Sequence, residues 1–183
     1  MVSGDFAAVF VILLRTLVPF TILRWPLAGT ILAILADTSD IIIFEAFWYG
    51  FLDGIPYHIL DKVFDMWALF FEFLVVLRWK DVLAKKAGIV LFSWRAVGFL
   101  VFIIFGLREA FFFAPNIFEY FFIVMLVVWK FNKKFELKRK SLAIMLVAIA
   151  IPKLFIEYLM HFKFQYGDTW VWFRDNVFSF LYD

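Results

Sequence analysis

The sequence predicts an all-α, polytopic membrane helical bundle with about six transmembrane helices and a C-terminal interfacial helix. Hydrophobic residues make up 66% of the 183 residues and the mean hydropathy is +0.93, whereas soluble domains are about 45–50% apolar. Apolar segments recur at a length of about 20 residues, which is the length needed to cross a hydrocarbon core of about 30 Å. Lys and Arg are concentrated between these segments, chiefly in RWKDVLAKK and KFNKKFELKRK.

Helix-breaking residues separate the predicted spans. RWP divides the first span from the second, GFLDGIP divides the second from the third, and APN precedes the fifth; each combines Pro or Gly with polar residues. The tail is too short and too charged to span but is rich in Trp and Phe, as is typical of a helix lying in the membrane interface. The chain is thus expected to be a single transmembrane domain, 1–183, with spans at 6–23, 27–47, 57–77, 88–107, 115–129 and 141–162 and an interfacial tail at 168–183.

Positive charge is distributed unequally between alternate loops. The segments after spans 1, 3 and 5 hold eleven Lys and Arg residues, whereas the N-terminus, the other loops and the tail hold three. The positive-inside rule therefore places the loops after spans 1, 3 and 5 in the cytoplasm and both termini outside. The eleven are Arg24, Arg78, Lys80, Lys85, Lys86, Lys130, Lys133, Lys134, Lys138, Arg139 and Lys140; the three are Arg108, Lys163 and Arg174.

The same composition limits the classes of partner. The basic loops suit anionic lipid headgroups, so membrane lipids are the expected partners, and a homo-oligomer or a membrane-complex partner is left open. We find no pattern of interleaved aromatic and basic residues and so expect no nucleic acid. The chain has no cysteine, which excludes a disulfide framework and a thiolate metal site.

Two pairs of aspartates interrupt spans 2 and 3. Asp37 and Asp40 are spaced i, i+3 and Asp61 and Asp65 are spaced i, i+4, so each pair lies on one face of its helix. At 1.5 Å per residue, Asp40 is about 20 Å from the start of span 2, and so about 10 Å from the far side of a core of about 30 Å. The antiparallel span 3 begins at that far side, and Asp65 is about 12 Å along it. The two pairs are therefore at similar depth and are expected to face one cavity.

Four carboxylates in a low-dielectric cavity require compensation. A hard divalent ion such as Mg²⁺ or Mn²⁺ would supply it, because these ions prefer oxygen ligands. Protonation would supply it in a proton relay. The third alternative is pairing with a cation inside the spans, and the candidates are Lys62, Arg95, Lys153 and Arg15.

The spacing of these acids resembles that of the CDP-alcohol phosphatidyltransferases. Members of that family are six-span membrane enzymes with the motif DxxDGxxAR followed by DxxxD around divalent metal. The chain matches at the acids, and the Gly, Ala and Arg positions hold Ile41, Phe44 and Glu45. The resemblance covers mainly residues 15–65. It implies a metal site formed by Asp37, Asp40, Asp61 and Asp65, with Asp65 as the base that deprotonates an alcohol acceptor.

Three further residues are candidates for substrate binding. Arg95 is about a third of the way into span 4 and could hold a phosphate or carboxylate group; the alternative is a buried ion pair. His58 and His161 each lie one helical turn from a carboxylate and could contribute nitrogen ligands to a mixed metal site. The alternative for both is an interfacial imidazole with no ligand role.

Three functions follow from these patterns. The first is a metal-dependent, phosphatidyltransferase-like enzyme acting on a lipid phosphodiester. The second is a proton- or cation-coupled transporter that uses the same acids. The third is a non-catalytic subunit of a membrane complex, in which buried charges only hold the helices in register.

Overall fold

The described part of the protein consists of helices joined by short connections, with no strands. The computed structural model describes residues 2–47 and 57–158, and side chains within 9–38, 59–156 and 158. The elements are α1 (Val2–Leu17), a 3₁₀ segment (Val18–Leu23), α2 (Pro26–Phe47), α3 (Tyr57–Val76), α4 (Val82–Phe105), the short α5 (Ala110–Phe113), α6 (Ile117–Phe131) and α7 (Arg139–Tyr158). The predicted all-α class is confirmed for these residues.

The first predicted span changes geometry at Pro19. Proline has no N–H to continue an α-helical ladder, and the chain runs from α1 into the 3₁₀ segment around this residue. Pro26 then begins α2, a position where its fixed φ is compatible with a helical first turn. This reversal packs α2 directly against the 3₁₀ segment and places α1 beside both.

Gly29 allows this close approach. A Cβ at this position would lie 2.5 Å from the Ile22 backbone nitrogen and 2.7 Å from the Ile22 Cα. Because backbone atoms cannot rotate away as a side chain can, a larger residue would force α2 and the 3₁₀ segment apart.

We expect Gly29→Ala to lower the free energy of unfolding by about 1–3 kcal/mol, the usual cost of overpacking. Denaturant titration in detergent micelles would measure the loss. Gly88→Ala is the matched control, because its added methyl would meet the Val76 side chain, with Cγ1 at 2.7 Å, and no backbone. An equal or larger loss in Gly88→Ala would contradict this account of the helix contact.

The apolar core lies between α3, α4 and α6. Leu69 and Val76 of α3 pack with Phe118 and Phe122 of α6, and all four are almost completely buried. Phe73 of α3 stacks on Phe92 of α4 with a centroid distance of 4.3 Å. A second apolar cluster joins the start of α4 to α6 and the segment before α7 through Ala84, Phe121, Met125 and Leu137.

Helix α4 begins six residues earlier than the predicted fourth span, which started at residue 88. Asp81 explains the difference, because its Oδ1 accepts a hydrogen bond from the Ala84 N–H at 2.9 Å and caps the helix. Lys85 and Lys86 are consequently in the first turns of α4 and not in a loop. Helix α5 was not predicted.

The described residues contain two candidates for the six predicted spans. Within the described residues, Val82–Phe105 and Ala110–Phe131 are long and apolar enough to cross a membrane, the second consisting of α5 and α6 with a short break at 114–116. Val9–Leu23 and Pro26–Thr38, the parts of the first helices whose side chains are described, are also apolar. Helix α3 is long enough at 20 residues, but its four charged side chains make it too polar for this criterion. The predicted interfacial tail, 168–183, lies outside the described residues.

Candidate functional site: a carboxylate cluster around Arg15

Arg15 of α1 is the centre of a cluster of charged side chains. Its Nη1 donates to Asp61 Oδ1 at 2.9 Å and its Nη2 donates to Asp65 Oδ1 at 2.9 Å. Nη2 also donates to Oδ1 of Asp37 on α2. The Arg15 side chain is only 5% exposed. One guanidinium therefore joins three carboxylates from two other helices, a role that its planar array of donors suits.

Lys62 binds the two α3 carboxylates from the other side. Its Nζ donates to Asp61 Oδ2 at 2.7 Å and to Asp65 Oδ2 at 2.8 Å. Both oxygens of Asp61 and both oxygens of Asp65 consequently accept charge-assisted hydrogen bonds. We refer to Arg15, Asp37, Asp61, Lys62 and Asp65 as the carboxylate cluster.

Aromatic residues of α3 fix the position of Arg15. The guanidinium carbon lies 5.2 Å from the centroid of the Phe64 ring, within the range of a cation–π interaction. One residue further along α1, the Thr16 carbonyl accepts a hydrogen bond from Trp67 Nε1 at 3.1 Å. These contacts hold α1 against α3 and aim the guanidinium at the acids.

The described side chains of the cluster do not balance in charge. Asp37, Asp61 and Asp65 carry three negative charges when ionised, and Arg15 and Lys62 carry two positive charges. One oxygen from each aspartate lies within 4.8 Å of the others, a spacing that allows a shared metal ion. The cluster thus combines an excess of one carboxylate with a geometry that could accept a cation.

The structure brings together three of the four predicted metal ligands. Asp37, Asp61 and Asp65 meet, as their depth in the spans predicted, and the cations that pair with them are two of the four candidates from the sequence. The side chains of Asp40 and His58 and the whole of His161 lie outside the described residues. The predicted ligand roles of these three therefore remain predictions.

Arg95 contacts a different region. Its Nη1 donates to the Ala114 carbonyl at 2.8 Å, and its guanidinium lies 4.4 Å from the centroid of the Phe111 ring. Arg95 also lies within electrostatic range of Glu119 on α6. It is therefore held beside α5 by the backbone and an aromatic ring. Its predicted role in binding substrate stays a prediction.

A buried acid, which the sequence suggested only as a possible ion-pair partner of Arg95, lies deeper in the bundle. Glu72 of α3 is 1% exposed, and its Oε1 accepts a hydrogen bond from the Thr30 hydroxyl at 2.9 Å. Its Oε2 has no hydrogen-bond partner among the described residues. Glu119, which accepts from Asn116 Nδ2 at 2.9 Å, is close enough to interact electrostatically with both Glu72 and Asp65. The signal that could have identified Glu72 was its place in the apolar second half of α3, where it is the one charged residue between Met66 and Val76.

We expect Thr30→Val to lower the free energy of unfolding by about 1–3 kcal/mol, because it leaves the buried Glu72 carboxyl without its hydroxyl donor. Thermal or denaturant unfolding in detergent would measure this loss. Thr38→Val in the same helix is the control, since the Thr38 hydroxyl is exposed and donates to its own helix at the Ile34 carbonyl. Equal effects of the two substitutions would show that the Thr30–Glu72 hydrogen bond does not stabilise the fold.

Comparison with family models, curated proteins and solved structures finds no match for this chain.

Proposed function

We propose that the protein is a multi-pass membrane protein whose carboxylate cluster binds a proton or a metal cation and moves it across the bilayer. The observation that carries this proposal is the convergence, among the described side chains, of three partly exposed carboxylates and two cations, one of them the buried Arg15. A charge left uncompensated inside a membrane is costly, so intramembrane carboxylates normally bind ions or protons or pair with cations.

The outer surfaces of the helices support insertion as several spans. Val90, Val97 and Ile104 repeat along α4 at helical spacing and are 66%, 52% and 67% exposed. On α7, Ile144 and Ile151 are also well exposed. Continuous apolar faces of this kind are rare on soluble monomers, and lipid tails would cover them. In this arrangement the basic loops after spans 1, 3 and 5 face the cytoplasm.

The charge balance supports occupancy by a cation. One proton or one monovalent ion would neutralise the excess of the described cluster. Asp40 lies one turn beyond Asp37 in α2, and if its carboxylate also contributes, a divalent ion would balance the site. Oxygen donors suit Mg²⁺ and Mn²⁺. Because Lys62 already binds both Asp61 and Asp65, it would have to move aside for a metal ion to take its position.

Further ionisable residues extend inward from the cluster. Glu119 is within electrostatic range of Asp65 on one side and Glu72 on the other. Lys153 of α7 lies over the Tyr120 ring at 5.6 Å and interacts electrostatically with Glu119. Asp65, Glu119 and Glu72 are thus a succession of interacting carboxylates, a feature also found in proton and ion pathways.

Ion flux into proteoliposomes tests this function. We expect vesicles containing the protein to dissipate an imposed gradient of protons, Na⁺ or Mn²⁺ faster than empty vesicles. Asp65→Asn should reduce this flux at least tenfold, while Glu109→Gln, which removes an exposed acid far along the sequence from the cluster, should not. Absence of flux for every cation would reject transport and favour the non-catalytic role.

A second function, a metal-dependent and phosphatidyltransferase-like activity, is favoured by the close approach of the three aspartate oxygens. A bound Mg²⁺ or Mn²⁺ would polarise a lipid phosphodiester. Asp65 could act as a base only after losing a hydrogen bond from Arg15 or Lys62, since both of its oxygens accept such bonds. Release of CMP from CDP-diacylglycerol in the presence of Mn²⁺, lost in Asp65→Asn, would identify this activity; no release would exclude it.

A further inference from the structure

A cavity of about 720 Å³ lies between the α3–α4 turn and the segment joining α6 to α7. Four cationic residues line it, with Arg78 and Lys80 on one side and Lys133 and Lys134 on the other. All four are exposed. Only two acids, Asp81 and Glu136, line the same cavity. The lining therefore has an excess of positive charge.

Hydrogen bonds between the two chain segments hold the cavity walls. Asp81 Oδ2 accepts from the Leu137 N–H at 2.6 Å while its Oδ1 caps α4. Trp129 Nε1 donates to the Phe135 carbonyl at 3.0 Å. Asp81 is thus committed to the backbone of both walls. The protein's own hydrogen bonds therefore hold the two walls of the cavity together.

The position of the cavity along the helices matches the depth of lipid headgroups. The apolar segment of α4 begins at Val82 and the apolar segment Ala110–Phe131 ends beside the cavity. Trp79 and Trp129 pack edge to face at 4.8 Å in its wall, and Trp is enriched where a bilayer meets water. A positively charged cavity at this level faces the phosphate groups of the lipid layer.

We propose that this cavity binds the headgroup of an anionic phospholipid, whose phosphate contacts the surrounding Lys and Arg side chains. The volume lies within the range of about 300–1,000 Å³ that is usual for small-molecule sites. The inference depends on the membrane insertion in the proposed function and not on the carboxylate cluster.

Lipid binding to the purified protein tests the proposal. The probes are phosphatidylglycerol, zwitterionic phosphatidylcholine and inorganic phosphate, each titrated into protein in neutral detergent while its thermal unfolding is followed. We expect phosphatidylglycerol to stabilise the protein and phosphatidylcholine not to do so. In a variant carrying both Lys133→Gln and Lys134→Gln, phosphatidylglycerol should bind about tenfold more weakly, since each Lys near a lipid surface contributes substantially to binding anionic lipid.

The matched control removes the same charge from the nearby Lys138 and Lys140, which do not line the cavity. A variant with both Lys138→Gln and Lys140→Gln should bind phosphatidylglycerol as the wild type does. An equal loss in both double variants would show diffuse attraction and overturn the site. Full competition by inorganic phosphate would overturn the assignment to lipid, as would equal stabilisation by the two lipids. Ion flux in proteoliposomes is measured separately, so its presence or absence does not affect this test.

Discussion

Replacing Arg15 with Met should destabilise the protein by about 3 kcal/mol, because it removes three charge-assisted hydrogen bonds to partly exposed aspartates, and a hydrogen bond to a charged group contributes about 1.5–3 kcal/mol. Arg15 donates to all three aspartates of the cluster, so its loss removes a charge-assisted hydrogen bond from each of them. Thermal unfolding of the purified protein in detergent would measure the effect as a lowered midpoint.

Arg24→Met is the control for this substitution. Arg24 is also an arginine near the end of the first predicted span, but it is exposed, and surface substitutions usually change stability by less than about 0.5 kcal/mol. If Arg15→Met and Arg24→Met shift the midpoint equally, the guanidinium of Arg15 does not hold the cluster together.

Replacing Lys62 with Gln should increase the affinity of the cluster for a divalent cation by at least tenfold. Two unit charges about 4 Å apart near a protein surface interact with about 4 kcal/mol, and a tenfold change in affinity needs only about 1.4 kcal/mol. Removing the ammonium both frees the Oδ2 atoms of Asp61 and Asp65 and raises the excess negative charge of the described cluster from one to two. Titration of Mn²⁺ followed by electron paramagnetic resonance would measure the affinity.

Lys86→Gln provides the comparison, because Lys86 is exposed on α4 and its removal changes the net charge by the same amount. Its Mn²⁺ affinity should match that of the wild type. Adding Asp65→Asn to Lys62→Gln should remove most of the gain, since it deletes one ligand and one negative charge. Unchanged Mn²⁺ binding in Lys62→Gln would mean that the aspartates are not available as metal ligands.

The sequence predicts where the helices lie more accurately than where each helix begins and ends. The apolar segments of the sequence predicted the ends of α2 and α3 to within one residue. Pro26 and the Gly- and Pro-containing segment before Tyr57 mark these boundaries clearly. The start of α4 was wrong because Lys85 and Lys86 resembled loop residues. Only the cap formed by Asp81, together with the hydrogen bond from Lys85 Nζ to the Leu77 carbonyl at 2.6 Å, shows that these charges belong to the helix.

The convergence of the acids was predictable, whereas their partners were not. Helix spacing and depth place Asp37, Asp61 and Asp65 at one level, and those quantities depend only on residue number. The choice of Arg15 and Lys62 over Arg95 and Lys153 depends on how the helices rotate and pack. Sequence spacing does not determine those rotations. Arg95 instead finds the Ala114 carbonyl because α5 brings that carbonyl beside α4.

A double-mutant cycle between Arg15 and Asp61 tests most directly whether the charged residues form one cluster. The free energies of unfolding of the wild type, Arg15→Met, Asp61→Asn and the double variant would be measured in the same detergent. If the side chains interact as described, the double variant should lose at least about 1 kcal/mol less than the sum of the single losses, because contacting residues couple by about 0.5–3 kcal/mol. Additivity within about 0.5 kcal/mol, as found for distant sites, would contradict the cluster and the functions proposed from it.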